Sequence, residues 1–182
     1  MRTEIRLAGS GGQGLILGGI VLAEAAGLYD GKHVVQSQVY GPESRGGASR
    51  ADVIVSEDPV DYPKATTPDV LLVMSQEAYA KFGKQVKAGG LLLYDSDQVE
   101  PAAGNARAVG LPLTRVAREE IGRTITANMV ALGAVAALTG VVSRPALETA
   151  AANRAPKGTK EINLAAIRKG YDLAEAVREG VR

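Results

Sequence analysis

Short apolar runs alternate with longer helix-forming stretches over the first two-thirds of the chain. The runs Val70–Met74 and Leu91–Tyr94 are apolar throughout, which is typical of strands covered on both faces of a sheet. Ser75 follows the first run as a predicted helix N-cap. This alternation predicts an α/β fold with three layers, α/β/α, and a mostly parallel sheet.

One connection is too short for a purely parallel sheet. The predicted strands Val34–Val39 and Ala51–Ser56 are separated only by Tyr40–Arg50, whereas a parallel crossover needs a dozen or more residues. This pair is therefore predicted to be antiparallel and the sheet mixed. From Leu113 onward the pattern is helical, so the C-terminal third is predicted to be all helix. A length of 182 residues fits a single domain over 1–182.

Composition excludes several kinds of site. The chain has no cysteine and one histidine, which excludes disulfides, thiolate zinc sites and cluster-binding cysteines in this chain. Its 21 basic and 20 acidic residues give a net charge of +1, which does not favour binding of nucleic acid. The longest apolar stretches are shorter than the ~20 residues that span a bilayer, so we expect no membrane segment and a cytoplasmic location.

A glycine-rich turn joins the first predicted strand, Glu4–Ala8, to the first predicted helix. Gly9-Ser10-Gly11-Gly12-Gln13-Gly14 matches the pattern G-x-G-x-x-G, in which free N–H groups at a helix start attract anions. The candidate ligand or interface residues are Gly11, Gly12, Gln13 and Gly14. The turn is either a phosphate-binding loop of a free-standing nucleotide- or anion-binding protein, or a tight turn packed against another chain.

Two features weaken a nucleotide site at this turn. A dinucleotide fold places an acid at the end of the second strand, where this chain has Gln38-Val39-Tyr40. The Gly-Lys-Ser/Thr ending of a Walker A loop is also absent.

A second loop concentrates an aromatic residue, an acid, a base and three glycines in eight residues. Its sequence is Tyr40-Gly41-Pro42-Glu43-Ser44-Arg45-Gly46-Gly47. Arg45 is suited to bind a phosphate or carboxylate with two hydrogen bonds, or to pair with Glu43 within the loop. If the first two strands are adjacent and parallel, both loops form one surface. The further candidates are Tyr40, Gly41, Glu43, Arg45, Gly46 and Gly47.

The two loops, in this order and at this spacing, resemble those of the gamma subunit of the 2-oxoacid:ferredoxin oxidoreductases. This family acts on pyruvate, 2-oxoglutarate, 2-oxoisovalerate or indolepyruvate. The resemblance covers nearly the whole chain and continues through four later blocks, Val70–Ser75, Leu91–Ser96, Asn128–Gly133 and Asn163–Tyr171.

The resemblance implies a subunit of an enzyme that oxidatively decarboxylates a 2-oxoacid to an acyl-CoA and passes electrons to ferredoxin. It places thiamine diphosphate and magnesium between alpha and beta subunits, and [4Fe-4S] clusters in the delta and sometimes the beta subunit. This chain lacks cysteine and the Gly-Asp-Gly start of a thiamine–magnesium motif. We therefore expect it to contribute no cofactor ligand, metal ligand or catalytic residue, and to be inactive alone.

The expected contribution of the chain is subunit docking and the approach of CoA. The expected partners are the alpha, beta and delta subunits, with ferredoxin reached through the complex. The isolated chain is expected to form a homodimer or a larger assembly, because apolar helices and glycine-flanked loops leave surface for neighbours.

Overall fold

A single mixed sheet organises the molecule. The computed structural model describes residues 1–39 and 47–180. Within these residues the strand order is β2-β3-β1-β4-β5-β6. The strands are β1 Arg2–Ser10, β2 His33–Val39, β3 Ala48–Ser56, β4 Val70–Val73, β5 Leu91–Asp95 and β6 Arg107–Leu111.

The prediction of a mixed sheet is confirmed. β3 runs antiparallel to both β1 and β2. The other four strands, β1, β4, β5 and β6, run parallel to one another. The condition that the first two strands are adjacent is not met, because β3 lies between them. The short return after β2 allows only an antiparallel neighbour, and β3 pairs along its other edge with all nine residues of β1.

Six α-helices accompany the sheet in the described chain. They are α1 Leu15–Glu24, α2 Gln76–Phe82, α3 Leu113–Val116, α4 Ala127–Thr139, α5 Arg144–Arg154 and α6 Lys160–Gly180. α1 and α3 each continue into a π-helical turn, Ala25–Tyr29 and Ala117–Ile121. As predicted, Ser75 caps α2, and the C-terminal third is helical. None of the described helices is long and apolar enough to cross a bilayer.

Alternate residues of the central strands face two helical layers, which confirms the three-layer prediction. Leu72 and Leu93 belong to one large apolar cluster with residues of α1, α4, α5 and α6. Their neighbours Leu71 and Leu92 pack on the opposite face in a smaller cluster that includes Phe82 of α2. The period-two alternation of strand side chains separates the two cores.

α4 and α6 approach each other closely in the larger core. A Cβ atom added to Gly170 would lie 2.0 Å from the carbonyl oxygen of Val130, and one added to Gly133 would lie 2.1 Å from that of Ile167. Real side chains do not tolerate such distances, so both positions require glycine for packing rather than for backbone conformation.

The face covered by α2 contains a buried ion pair. The Arg6 and Asp52 side chains are 2% and 7% exposed, and Nε of Arg6 lies 2.8 Å from Oδ1 of Asp52. Arg6 also donates to the carbonyl oxygen of Ala65 at 2.9 Å and to Oε1 of Gln85. Both charges therefore lie out of water and depend on each other.

Candidate functional site

The glycine-rich turn lies at the carboxyl end of β1 and leads directly into α1. Gly12 and Gly14 have φ values of 87° and 73°, a left-handed conformation that favours glycine. Gly11 and Gly12 are exposed, and their N–H groups donate no hydrogen bond within the described part of the chain. No acidic residue lies in the first turn of α1. The positive end of the helix and these free donors together favour an anion.

Gln13, a predicted ligand or interface residue, uses its amide to hold the turn. Its Oε1 accepts a hydrogen bond from the N–H of Ser10 at 2.7 Å, and its Nε2 donates to the carbonyl oxygen of Met74 at 3.0 Å. A Cβ on Gly9 would lie 2.4 Å from Oε1. Gln13 therefore fixes the turn to the end of β4, and the exposed surface of the turn is glycine backbone.

Replacing Gln13 with alanine is expected to lower the free energy of unfolding by about 1–3 kcal/mol. The reason is that two half-buried backbone groups would lose their partners. Thermal unfolding of the purified chain measures the effect, and Gln98→Ala serves as control because Gln98 is exposed. Equal stability of the two variants would contradict this role for the Gln13 amide.

Asn128 connects α4 to the glycine-rich turn. Its Oδ1 accepts a hydrogen bond from the N–H of Met129 at 2.8 Å, within the first turn of α4. Its Nδ2 donates to the carbonyl oxygen of Gly14 at 3.1 Å. The sequence does not predict this second bond, because it joins residues 114 positions apart.

Most of the second predicted loop falls outside the described residues. These are the candidates Tyr40, Gly41, Glu43, Arg45 and Gly46. Gly47 is half-buried and precedes β3, where Oγ of Ser49 donates to the carbonyl oxygen of Gly9 at 3.4 Å.

The carboxyl ends of β1 and β2 lie at the same end of the sheet. Ala8 of β1 and Val39 of β2 are both paired with Arg50 of β3. Two strand spacings of ~4.8 Å therefore separate the two ends. The sequence predicts one surface for both loops if the first two strands are adjacent. The structure instead places the two strand ends at the same end of the sheet, with the start of β3 between them.

The topology also weakens the nucleotide-binding alternative. In a dinucleotide fold the acid that binds the ribose follows the strand next to the first, but here β3 and β4 flank β1. Asp95 is 0% exposed. Its carboxylate accepts hydrogen bonds from the N–H groups of Asp97 and Thr114 at 3.3 and 3.1 Å. Asp95 is thus a structural cap at the end of β5.

A cavity of about 280 Å³ lies behind the glycine-rich turn, and sequence reasoning missed it. Asn128 forms part of its wall, together with Arg123 before α4 and Asn163 in the first turn of α6. The one local indication is an asparagine at a buried position of an otherwise apolar helix face. The residues that complete the wall come from three separate parts of the chain, which no local pattern brings together.

Comparison with known proteins gives a consistent assignment. Residues 4–173 match the family model described as pyruvate ferredoxin/flavodoxin oxidoreductase. A curated relative, the 2-oxoglutarate synthase subunit KorC of Methanocaldococcus jannaschii, is 48% identical over 96% of this chain and 95% of its own length.

Two solved structures agree with that match. The gamma subunit of a keto/oxoacid ferredoxin oxidoreductase from Geobacter sulfurreducens superimposes with a TM-score of 0.89 at 49% identity, over 97% of this chain and 98% of its own. A 2-oxoglutarate:ferredoxin oxidoreductase from Magnetococcus marinus, solved with 2-oxoglutarate, coenzyme A and succinyl-CoA bound, gives 0.86 at 28% identity. That match covers 96% of this chain and 31% of the other. The chain therefore belongs to the pyruvate ferredoxin/flavodoxin oxidoreductase family, as a gamma-type subunit.

Proposed function

We propose that this gamma-type subunit serves an enzyme that converts 2-oxoglutarate and CoA to succinyl-CoA and carbon dioxide, with ferredoxin as electron acceptor. The 48% identity to a 2-oxoglutarate synthase subunit over nearly both full lengths supports this choice of 2-oxoacid. The Magnetococcus marinus enzyme, named for the same substrate, has a region of the same fold within a longer chain. Residues 1–182 act as one domain in this proposal.

The catalytic groups belong to the partner subunits. Thiamine diphosphate and magnesium are assigned to the alpha and beta subunits, and the [4Fe-4S] clusters to a delta or beta subunit. This chain has no cysteine to ligate a cluster. The complex works in the cytoplasm and reduces ferredoxin there. The isolated chain is inactive and forms a homodimer.

The chain contributes a docking surface that helps to shape the approach of CoA. The observation that carries this part is the pair of unbonded N–H groups of Gly11 and Gly12 in the turn that precedes α1, with no acid in the first turn of the helix. Phosphate groups are among the anions that glycine-rich turns before a helix bind. The segment from Tyr40 to Gly47, with Arg45 as its cation, is assigned to the same surface.

Co-purification tests the assignment to an enzyme complex. The full chain, tagged and expressed in its natural host, is expected to bring down chains that contain thiamine diphosphate and iron. The captured complex is expected to reduce ferredoxin faster with 2-oxoglutarate than with pyruvate or 3-methyl-2-oxobutanoate. Activity of the chain alone would contradict the assignment of the catalytic groups to partner subunits. A preference for pyruvate would contradict the assignment of 2-oxoglutarate as the substrate.

Gly12→Val in the assembled complex is expected to raise the KM for CoA about tenfold or more. A charge-assisted hydrogen bond contributes about 1.5–3 kcal/mol, and the valine side chain would cover the exposed N–H groups. Among residues 1–39 and 47–180, no atom beyond the adjoining residues lies within 4 Å of a Cβ added to Gly12, so packing within that part of the chain stays intact.

Gly31→Val is the matched control for this experiment. Gly31 also has a positive φ, 68°, and open space around it, but it lies in the turn before β2. Both variants therefore carry a similar backbone cost. Arg45→Ala tests the second loop in the same assay. Unchanged CoA kinetics and assembly in Gly12→Val and Arg45→Ala would remove the proposed role of this surface.

A further inference from the structure

The cavity behind the glycine-rich turn has a largely apolar wall. It lies between the first turns of α1, α4 and α6 and has a volume of about 280 Å³. At ~30 Å³ for each water-sized group, it accommodates roughly nine or ten non-hydrogen atoms. The apolar part of the wall consists of Leu17, Ile125, Met129, Pro156 and Ile162.

Asn163 provides a polar group that the protein itself leaves unused. The residue is 9% exposed and lines the cavity. Its side-chain amide makes no hydrogen bond within residues 1–39 and 47–180, whereas its backbone N–H donates to the carbonyl oxygen of Thr159 at 3.0 Å. The amide atoms are not fully enclosed, so water reaches them through the open side of the cavity. The amide is thus available to a molecule in the cavity.

The charge at the cavity favours an anion. Arg123 lines the cavity and forms no ion pair with any described residue. The first turn of α6, with Thr159 and Ile162, forms another side, and helix starts present free N–H groups. Glu161 is the acid of that turn, but it is exposed and lies outside the cavity wall.

We propose that this cavity binds a small monocarboxylate with a compact apolar body of about five to eight carbons. Arg123 and the N–H groups at the start of α6 receive the carboxylate, and the amide of Asn163 bonds one of its oxygens. The apolar wall covers the hydrocarbon. The site is separate from the exposed backbone of Gly11 and Gly12, and it does not depend on the function proposed above.

Ligand-observed NMR on the purified full chain tests the site directly. Phenylacetate is the probe, and phenylacetamide is its neutral counterpart of the same shape. We expect a Kd for phenylacetate below about 1 mM and binding of the amide at least about tenfold weaker. Absence of phenylacetate binding, or equal binding of the two compounds, would overturn the proposal.

Variants of the chain locate the bound carboxylate. Arg123→Gln and Asn163→Asp are each expected to raise the Kd for phenylacetate about tenfold or more, while Arg178→Gln, at an exposed arginine near the end of α6, leaves it unchanged. Arg123 is exposed, so its variant is expected to fold. Thermal unfolding shows whether Arg123→Gln and Asn163→Asp are each folded. Unchanged affinity in Arg123→Gln would overturn the proposal.

Competition with CoA separates this site from the surface proposed for CoA. Phenylacetate is expected to stay bound when CoA is added. Displacement of the probe by CoA would make the cavity part of the CoA surface and so overturn the separate site. Failure of the co-purification experiment, in contrast, would leave carboxylate binding by the isolated chain unaffected.

Discussion

Gly170→Ala is expected to lower the free energy of unfolding by about 3 kcal/mol, at the upper end of the usual cost of overpacking a core. The added Cβ would lie 2.0 Å from the carbonyl oxygen of Val130 and 2.8 Å from the N–H nitrogen of Ala134. Both atoms belong to the backbone of α4, so α4 and α6 must move apart. Alanine favours a helix over glycine by ~1 kcal/mol, which offsets only part of this cost. Thermal unfolding should show a loss of about 6–12 °C in Tm.

Gly18→Ala in α1 is the matched control. This glycine is also helical and buried, but an added Cβ would meet only the side chains of Leu7 and Leu132, at 3.6 Å or more. Such distances are ordinary contacts, so the variant is expected to be neutral or about 1 kcal/mol more stable. A Gly170→Ala protein as stable as Gly18→Ala would show that the two helices separate without loss.

The fold could be predicted wherever local pattern decides it. The apolar runs of β4 and β5 and the caps Ser75 and Ser143 all follow from residues close in sequence. The insertion of β3 beside β1 could not be predicted, because the choice between its two possible partners depends on packing across the whole sheet. The contact of Gly133 with α6 could not be predicted either, since a lone glycine in a helix resembles a weak helix former.

In the candidate site, too, local features could be predicted from the sequence and long-range contacts could not. The glycine pattern predicts the turn and its free N–H groups, because positive φ angles and helix starts are local properties. Sequence reasoning did not assign Gln13 its structural role, because the partner of its Nε2 is Met74, 61 residues away. The cavity formed by Arg123 and Asn163 depends on the relative positions of α4 and α6. Local sequence therefore specifies the exposed backbone of the site, and tertiary packing specifies the side chains behind it.

Arg6→Met is expected to lower the free energy of unfolding by about 3–5 kcal/mol, the usual cost of removing one partner of a buried ion pair. The variant leaves the carboxylate of Asp52, 7% exposed, without its 2.8 Å partner. The remaining cation, Arg50, lies 3.6 Å from Oδ2 of Asp52 and is too distant to replace a direct hydrogen bond. The carbonyl oxygen of Ala65 also loses its donor. Urea unfolding of the purified chain measures the loss.

Two further variants show whether the cost arises from the unpaired charge. In Arg6→Met/Asp52→Leu no buried charge of this pair remains, so a large part of the stability is expected to return. Arg118→Met removes a cation from an exposed pair, in which Arg118 and Glu119 are each 59% exposed, and is expected to cost at most about 1 kcal/mol. A double variant no more stable than Arg6→Met would assign the loss to the packing of the long arginine side chain. An Arg6→Met protein as stable as Arg118→Met would show that water reaches Asp52 in solution.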